Sequence, residues 1–189
     1  MKKIIATLIT LAALAAGQAA QRNWKDRAEY DLYDSILKAT TPAARLEGLD
    51  KWKSGYPQSE YAPERTKAYL VTYQQLQKHR EAFDIAADIL KTNPNDQAAV
   101  QEVLGFIRAL MPAQPNAALT DKNKEDLATA EKVARALLSN PDAIYGADKK
   151  PQGMADDAWA KVKPTMINFA QFTLGYIGLT QKDTAKAET

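Results

Sequence analysis

The apolar positions recur at helical spacing from residue 23 onward. "NWKDRAEYDLYDSILK", Asn23 to Lys38, places Trp24, Ala28, Leu32, Ile36 and Leu37 three or four apart, with a short skip at the end. Thr41 and Pro42 open a second helix as cap and first helical residue. It carries Leu46, Leu49 and Trp52 and closes at Gly55. A third, Pro63 to Lys78, carries Tyr69, Leu70, Tyr73 and Leu76, and a fourth, Arg80 to Thr92, carries Ala82, Phe83, Ala86, Ile89 and Leu90. "NPND" breaks the run and leaves Asp96 to cap a fifth helix, Gln97 to Met111, with Val100, Val103, Leu104 and Ile107. The sixth, Lys124 to Ser139, carries Leu127, Ala130, Val133, Ala134 and Leu137. "DDAWAKVKPTMINFAQFTLGYIGL" is the last, with a kink or restart expected at Pro164. No segment alternates as a half-buried strand does, so the pattern predicts an all-α chain of antiparallel helical hairpins.

Three longer stretches interrupt the run of helices. In "YPQSEYAP", Pro57 stops one helix, Pro63 opens the next, and Tyr56 and Tyr61 are set to pack across the turn. "PAQPNAALTDKN" reads as the one long polar connection, and "NPDAIYGADKKPQG" follows the sixth helix. The hairpins then fall at about 23–55, 62–93, 96–139 and 155–189.

An internal period runs through this order. Tyr69-Leu70 aligns with Val103-Leu104 and Tyr73 with Ile107, each 34 residues on. Ala82 and Ala86 leave room for close helix contact, and Pro94 ends the hairpin. Leu174-Gly175 and Ala187 repeat the spacing at the far end. In this period the chain resembles the tetratricopeptide-repeat superfamily, in an exported bacterial form, along nearly all of its length after residue 19. It departs from that family's signature where Thr66 and Leu70 stand in place of the Trp and Gly of the first helix. "YPQSEYA" also resembles the turn of periplasmic repeat proteins of the outer-membrane assembly and Tol-Pal accessory groups. The resemblance implies a right-handed superhelix of hairpins, an α-solenoid, that binds a peptide or protein segment.

The first nineteen residues stand apart. "MKK" precedes the thirteen-residue apolar run "IIATLITLAALAA", and small residues follow, which predicts a signal peptide cleaved after Ala19. The run is short of the roughly 20 residues that span a bilayer, so no stable membrane span is expected after cleavage. Its removal takes Lys2 and Lys3 from 25 basic residues and leaves 23 against 23 acidic ones. Such a balance, with signs mixed along the chain, points away from nucleic acid. The absence of cysteine leaves an exported chain to be stabilised by packing alone.

Candidate chemistry is sparse, and the reading is that of a chain that is not an enzyme and holds no cofactor or metal. His79 is the only histidine and sits in the polar turn "QKHRE". Asp142, Asp156 and Asp157 fall at helix starts, where carboxylates complement the dipole. Gly175 and Gly178 lie within an apolar helix and are expected to permit close packing. Trp24, Trp52, Trp159, Tyr69 and Tyr73 are candidate core residues. The groove expectation rests on Lys67 and Gln74, seven apart on the third helix, and on Gln101 and Arg108, which repeat that spacing 34 residues on. These four are the candidate partner-binding residues of a periplasmic or secreted scaffold.

A second expectation concerns the last helix. On a wheel, Asn168, Gln171, Gly175 and Gly178 of "MINFAQFTLGYIGL" span only about 80°, and apolar residues sweep about 240°. That helix is patterned to be covered from two directions. The sequence stops at "KDTAKAET", about where the second helix of its hairpin should start. The last hairpin is therefore expected to be incomplete, with Phe172, Tyr176 and Leu179 at an open end. Such a chain is either a truncated member of a longer family or a structural subunit that assembles with itself or an envelope complex through that end.

Overall fold

The computed structural model describes residues 24–110 and 119–187, with the side chains of 106, 108–110 and 181–187 excepted. The stretch expected to be a signal peptide and most of "PAQPNAALTDKN" lie outside the described residues. Among the described residues every regular element is helical. In order they are α1 (Arg27–Leu37), α2 (Pro42–Gly55), α3 (Ala62–Gln75), α4 (His79–Thr92), α5 (Gln97–Leu110), α6 (Asp121–Ser139), α7 (Asp142–Tyr145) and α8 (Asp156–Ala187). A single 3-10 turn, Ala147–Lys149, follows α7.

Caps place the helix starts. Asp26 accepts from the backbone N–H groups of Ala28 and Glu29 and so starts α1 later than the apolar pattern suggests. Thr41 caps α2, with Pro42 at its first position, as the sequence predicts. Asp96 Oδ1 accepts from Ala99 N at 3.2 Å at the head of α5. Thr120 accepts from Asn123 N and starts α6 three residues ahead of the expected Lys124.

The core is strung along the chain in three linked clusters. The first joins Ile36 of α1, Leu49 and Trp52 of α2 and Tyr69 of α3. The second joins Leu70, Phe83, Val103, Ile107, Leu127 and Ile177, with Tyr73 and Ile85 reaching both it and the first. The third holds Val100, Leu104, Leu137, Tyr145, Trp159 and Met166, and Leu90 and Val133 bridge it to the second. Each long helix packs on the next in chain order through α6, and α8 packs on both α6 and α5. Ala82 and Ala86 are fully buried within α4, which is held between α3 and α5.

The close approach that the sequence assigned to Gly175 and Gly178 occurs elsewhere. A Cβ at either of these would meet nothing within 4 Å, whereas one at Gly48 would lie 2.6 Å from Ile36 Cγ1. Gly48 is therefore a point of close approach between α2 and α1.

Two further expectations change at the C-terminal half. "NPDAIYGADKKPQG" is not a plain connection, because Ile144 and Tyr145 are buried and form α7. Gln97 Nε2 donates to the carbonyls of Ile144 and Lys149 at 2.9 and 2.8 Å, and Trp159 Nε1 donates to Gly146 O at 3.2 Å. These bonds clamp the segment between α5 and α8. The second change is that α8 runs through Pro164 without a restart and continues over "KDTAKA" to Ala187. The proline ring removes the bond to the Ala160 carbonyl, and both residues face solvent, where water replaces the lost donor. The fourth hairpin is thus one long helix, with no second helix among the described residues.

Candidate functional site

The four candidate partner-binding residues lie on α3 and α5. Two of them are engaged within the chain. Lys67 is exposed, and its Nζ lies 2.9 Å from Asp96 Oδ2, so the ammonium meets the carboxylate that caps α5. Asn93 Nδ2 adds a long bond to the same oxygen at 3.4 Å. Gln74 is half-buried, and its Nε2 donates to Glu102 Oε2 at 2.6 Å. Gln101 is half-buried on α5. Arg108 is a residue of α5, and its side chain lies outside the described residues. The structure therefore places Lys67 and Gln74 at a seam, where they tie α3 to α5.

Glu102 is the residue that periodicity missed. It is fully buried, and its Oε1 has no hydrogen-bond partner among the described residues. Burial pushes its carboxyl up to about 7, with the Gln74 amide pulling in the opposite direction. The signal in the sequence was a lone acid inside the apolar run "VQEVLGFI".

Beside this seam, the phenol of Tyr69 donates to Asp50 Oδ1 at 2.8 Å, and the ring stacks on Tyr73 with centroids 5.6 Å apart. Burial, and then the Asp50 bond, raises the Tyr69 phenol well above its usual range. Tyr73 is half-buried, and Lys78 Nζ lies 5.9 Å above its ring. Both tyrosines belong to the core contact between α2, α3 and α4.

A second polar centre forms around "YPQSEYAP". Glu29 is buried, and its Oε1 accepts from Trp52 Nε1 at 2.6 Å and from the Ser59 hydroxyl. Arg65 is buried as well, donates to the carbonyls of Trp52 and Tyr56 at 3.2 and 2.8 Å, and lies over the Trp52 ring. Tyr61 packs against Trp24 with centroids 4.0 Å apart, while Tyr56 sits against the same cluster. Trp24 is half-buried, Trp52 and Trp159 buried. An open cleft of about 410 Å³ beside this turn is lined by Lys25, Asp26, Glu29, Tyr56, Ser59 and Glu60.

The outer face of α8 is the third feature. Phe169, Phe172 and Leu179 are 40 %, 44 % and 66 % exposed, and Tyr176 is half-buried with its ring stacked on Phe172 at 6.5 Å. Gly175, beside them, is exposed. The opposite face, through Met166, Ala170 and Ile177, is packed on α5 and α6.

The remaining candidates take structural roles. His79 is half-buried and opens α4. Asp142 starts α7 and pairs with Lys163 at 2.7 Å; Asp156 starts α8 and pairs with Lys150. Among the described residues no cluster of three or more His, Cys, Asp or Glu side chains is arranged to hold a metal ion. Among them, too, no helix is long and apolar enough to cross a membrane. The chain matches no protein-family model, no curated protein and no solved structure.

Proposed function

We propose that the chain is a non-catalytic protein–protein interaction scaffold of the tetratricopeptide type, periplasmic or secreted, whose hairpins stack as a right-handed superhelix. In this reading a peptide or protein segment lies in a concave groove along α3 and α5. The observation that carries it is the repetition of α3 in α5. Tyr69 and Leu70 recur 34 residues on as Val103 and Leu104, and all four are buried. Half-buried Tyr73 recurs as buried Ile107. Support comes also from packing that follows chain order, as a quasi-one-dimensional stack requires. Export is supported by the pattern of residues 1–19 alone.

The test is capture from envelope extract followed by titration with the purified partner. A heterologous protein should bind at one-to-one stoichiometry. Gln101→Arg should weaken it about tenfold, a loss of about 1.4 kcal/mol, without changing helicity or Tm. Binding that is indifferent to every substitution on α3 and α5 overturns the groove.

A second reading is favoured by the outer face of α8. Phe169, Phe172 and Leu179 form an exposed apolar stripe of the kind that marks interaction surfaces. Here the chain is a structural subunit that assembles through this face. Sedimentation separates the two: self-association abolished by Phe172→Glu with Leu179→Glu favours assembly, and a monomer at all concentrations favours the scaffold.

A further inference from the structure

Among the described residues, Glu102 is a side chain costly to keep charged. It lies fully buried in α5, its Oε2 takes the Gln74 amide of α3, and its Oε1 meets no donor among the described residues. An ionised carboxylate in that position gives up its hydration on Oε1 and receives nothing in return. A neutral carboxyl still accepts the Gln74 N–H, so the bond between the helices survives protonation. We propose that Glu102 is a proton-operated latch on the α3–α5 seam: protonated, it lets the two helices close over it; ionised, it drives them apart until water reaches Oε1.

The surroundings leave the carboxylate uncompensated. On α3, Lys67 is held by Asp96, and Tyr73 lies against Tyr69 beneath Lys78. On α4, Arg80 is taken by Asp126 of α6, and Asp84 is paired with Lys122. On α8, Lys163 is paired with Asp142. Among the described residues none of these charges acts on Glu102; burial alone raises its carboxyl to about 7, from an ordinary 4.5. The direction follows from proton linkage. Between these two values the folded chain holds a proton that the unfolded chain has released. The latch is therefore fully closed below about 4.5 and loosens as the pH rises through about 7. This holds whether or not a peptide binds along the same helices.

Two measurements on the full chain decide it. The first is a pH titration of the Glu102 carboxyl carbon by NMR, with a midpoint expected near 7. The second uses the lack of cysteine in the chain. Spin labels at Gln75→Cys on α3 and Gly105→Cys on α5, both exposed positions, report the seam. Their distance distribution should broaden or lengthen between about pH 5 and about pH 8. The same pair in a Glu102→Gln background should show no such change. A midpoint near 4.5 overturns the latch, as does a label distance independent of pH or a pH response that survives Glu102→Gln. Should Glu102→Gln fail to fold, the carboxyl titration and the labelled chain with Glu102 intact still decide the matter.

Discussion

Trp52 donates its indole N–H to Glu29 Oε1 at 2.6 Å, and that bond joins α2 to α1 beneath the turn that leads into α3. The same oxygen takes the Ser59 hydroxyl from the turn itself. Three segments therefore converge on one buried carboxylate. Glu29→Ala removes the acceptor and leaves the buried indole N–H of Trp52 without a partner. Hydrogen bonds to charged groups contribute about 1.5–3 kcal/mol, so the loss should be about 2–3 kcal/mol in urea denaturation. Glu29→Gln keeps an acceptor in place and should lose less than half of that. Equal losses from the two variants would show that the carboxylate's charge, and not merely an acceptor in that place, sets the cost.

The Lys67–Asp96 pair bears on any binding experiment. Lys67 is 57 % exposed at its side chain and Asp96 only 9 %. Lys67→Glu sets two like charges together at the head of α5, where Asp96 also caps the helix. With one partner exposed, solvent screening limits the cost to about 1 kcal/mol, shrinking as salt is added. Lys67→Met should stay within about 0.5 kcal/mol of the parent. A salt-independent loss in Lys67→Glu would point to altered packing instead. Charge reversal at Lys67 is thus a poor probe of partner binding, and Gln101 is the better one.

The turn between α3 and α4 holds a residue in the wrong conformation for its side chain. Gln77 has φ +55°. Lys78 N–H bonds to Tyr73 O at 2.9 Å and Gln77 N–H to Gln74 O at 3.1 Å, the double closure that ends a helix in a left-handed residue. Glycine adopts that conformation without a Cβ clash, which costs other residues about 1–2 kcal/mol. Gln77→Gly should raise stability by about 0.5–1 kcal/mol, after the greater entropy of unfolded glycine is set against the relief. A fall in Tm would mean that the Gln77 side chain contributes more than its strain.

The helices were legible because burial follows period. Leu49, Trp52, Leu70, Phe83, Val103 and Ile107 all sit where spacing alone put them, and all are buried. Thr41 and Asp96 were legible as caps for the same local reason. What periodicity could not supply was anything decided between helices. Asp26 and Thr120 compete with nearby polar residues as caps, and only the folded ends show which one wins. Ile144 and Tyr145 lie in a stretch too short for a period to register, and their order comes from Gln97 and Trp159, 47 residues before Ile144 and 14 after Tyr145. Pro164 reads as a break in sequence but falls on the solvent side of α8, where its missing bond costs little. In the candidate site, Lys67 and Gln74 were legible as polar positions off the apolar stripe. Their partners were not, since a period says which face a residue occupies and nothing about what stands opposite.

Thr173 shows the same limit within α8. It is fully buried among residues that face α5 and α6, and its hydroxyl has no hydrogen-bond partner among the described residues. Thr72 in α3 is equally buried, but its hydroxyl donates to Ala68 O at 2.7 Å, one turn back. The two sites form a controlled pair. Valine matches threonine closely in shape and lacks the hydroxyl. At residue 173 the change removes an unsatisfied buried group, whose desolvation costs about 1–3 kcal/mol. Thr173→Val should therefore stabilise the chain by about 1 kcal/mol. At residue 72 it removes a hydroxyl that is already satisfied. Thr72→Val should be neutral or destabilising by up to about 1 kcal/mol. Chemical denaturation of both variants beside the parent gives the comparison directly. If Thr173→Val is the less stable of the two, a buried water or a shifted rotamer satisfies the Thr173 hydroxyl, and the contact of α8 with α5 and α6 is more polar than its side chains imply.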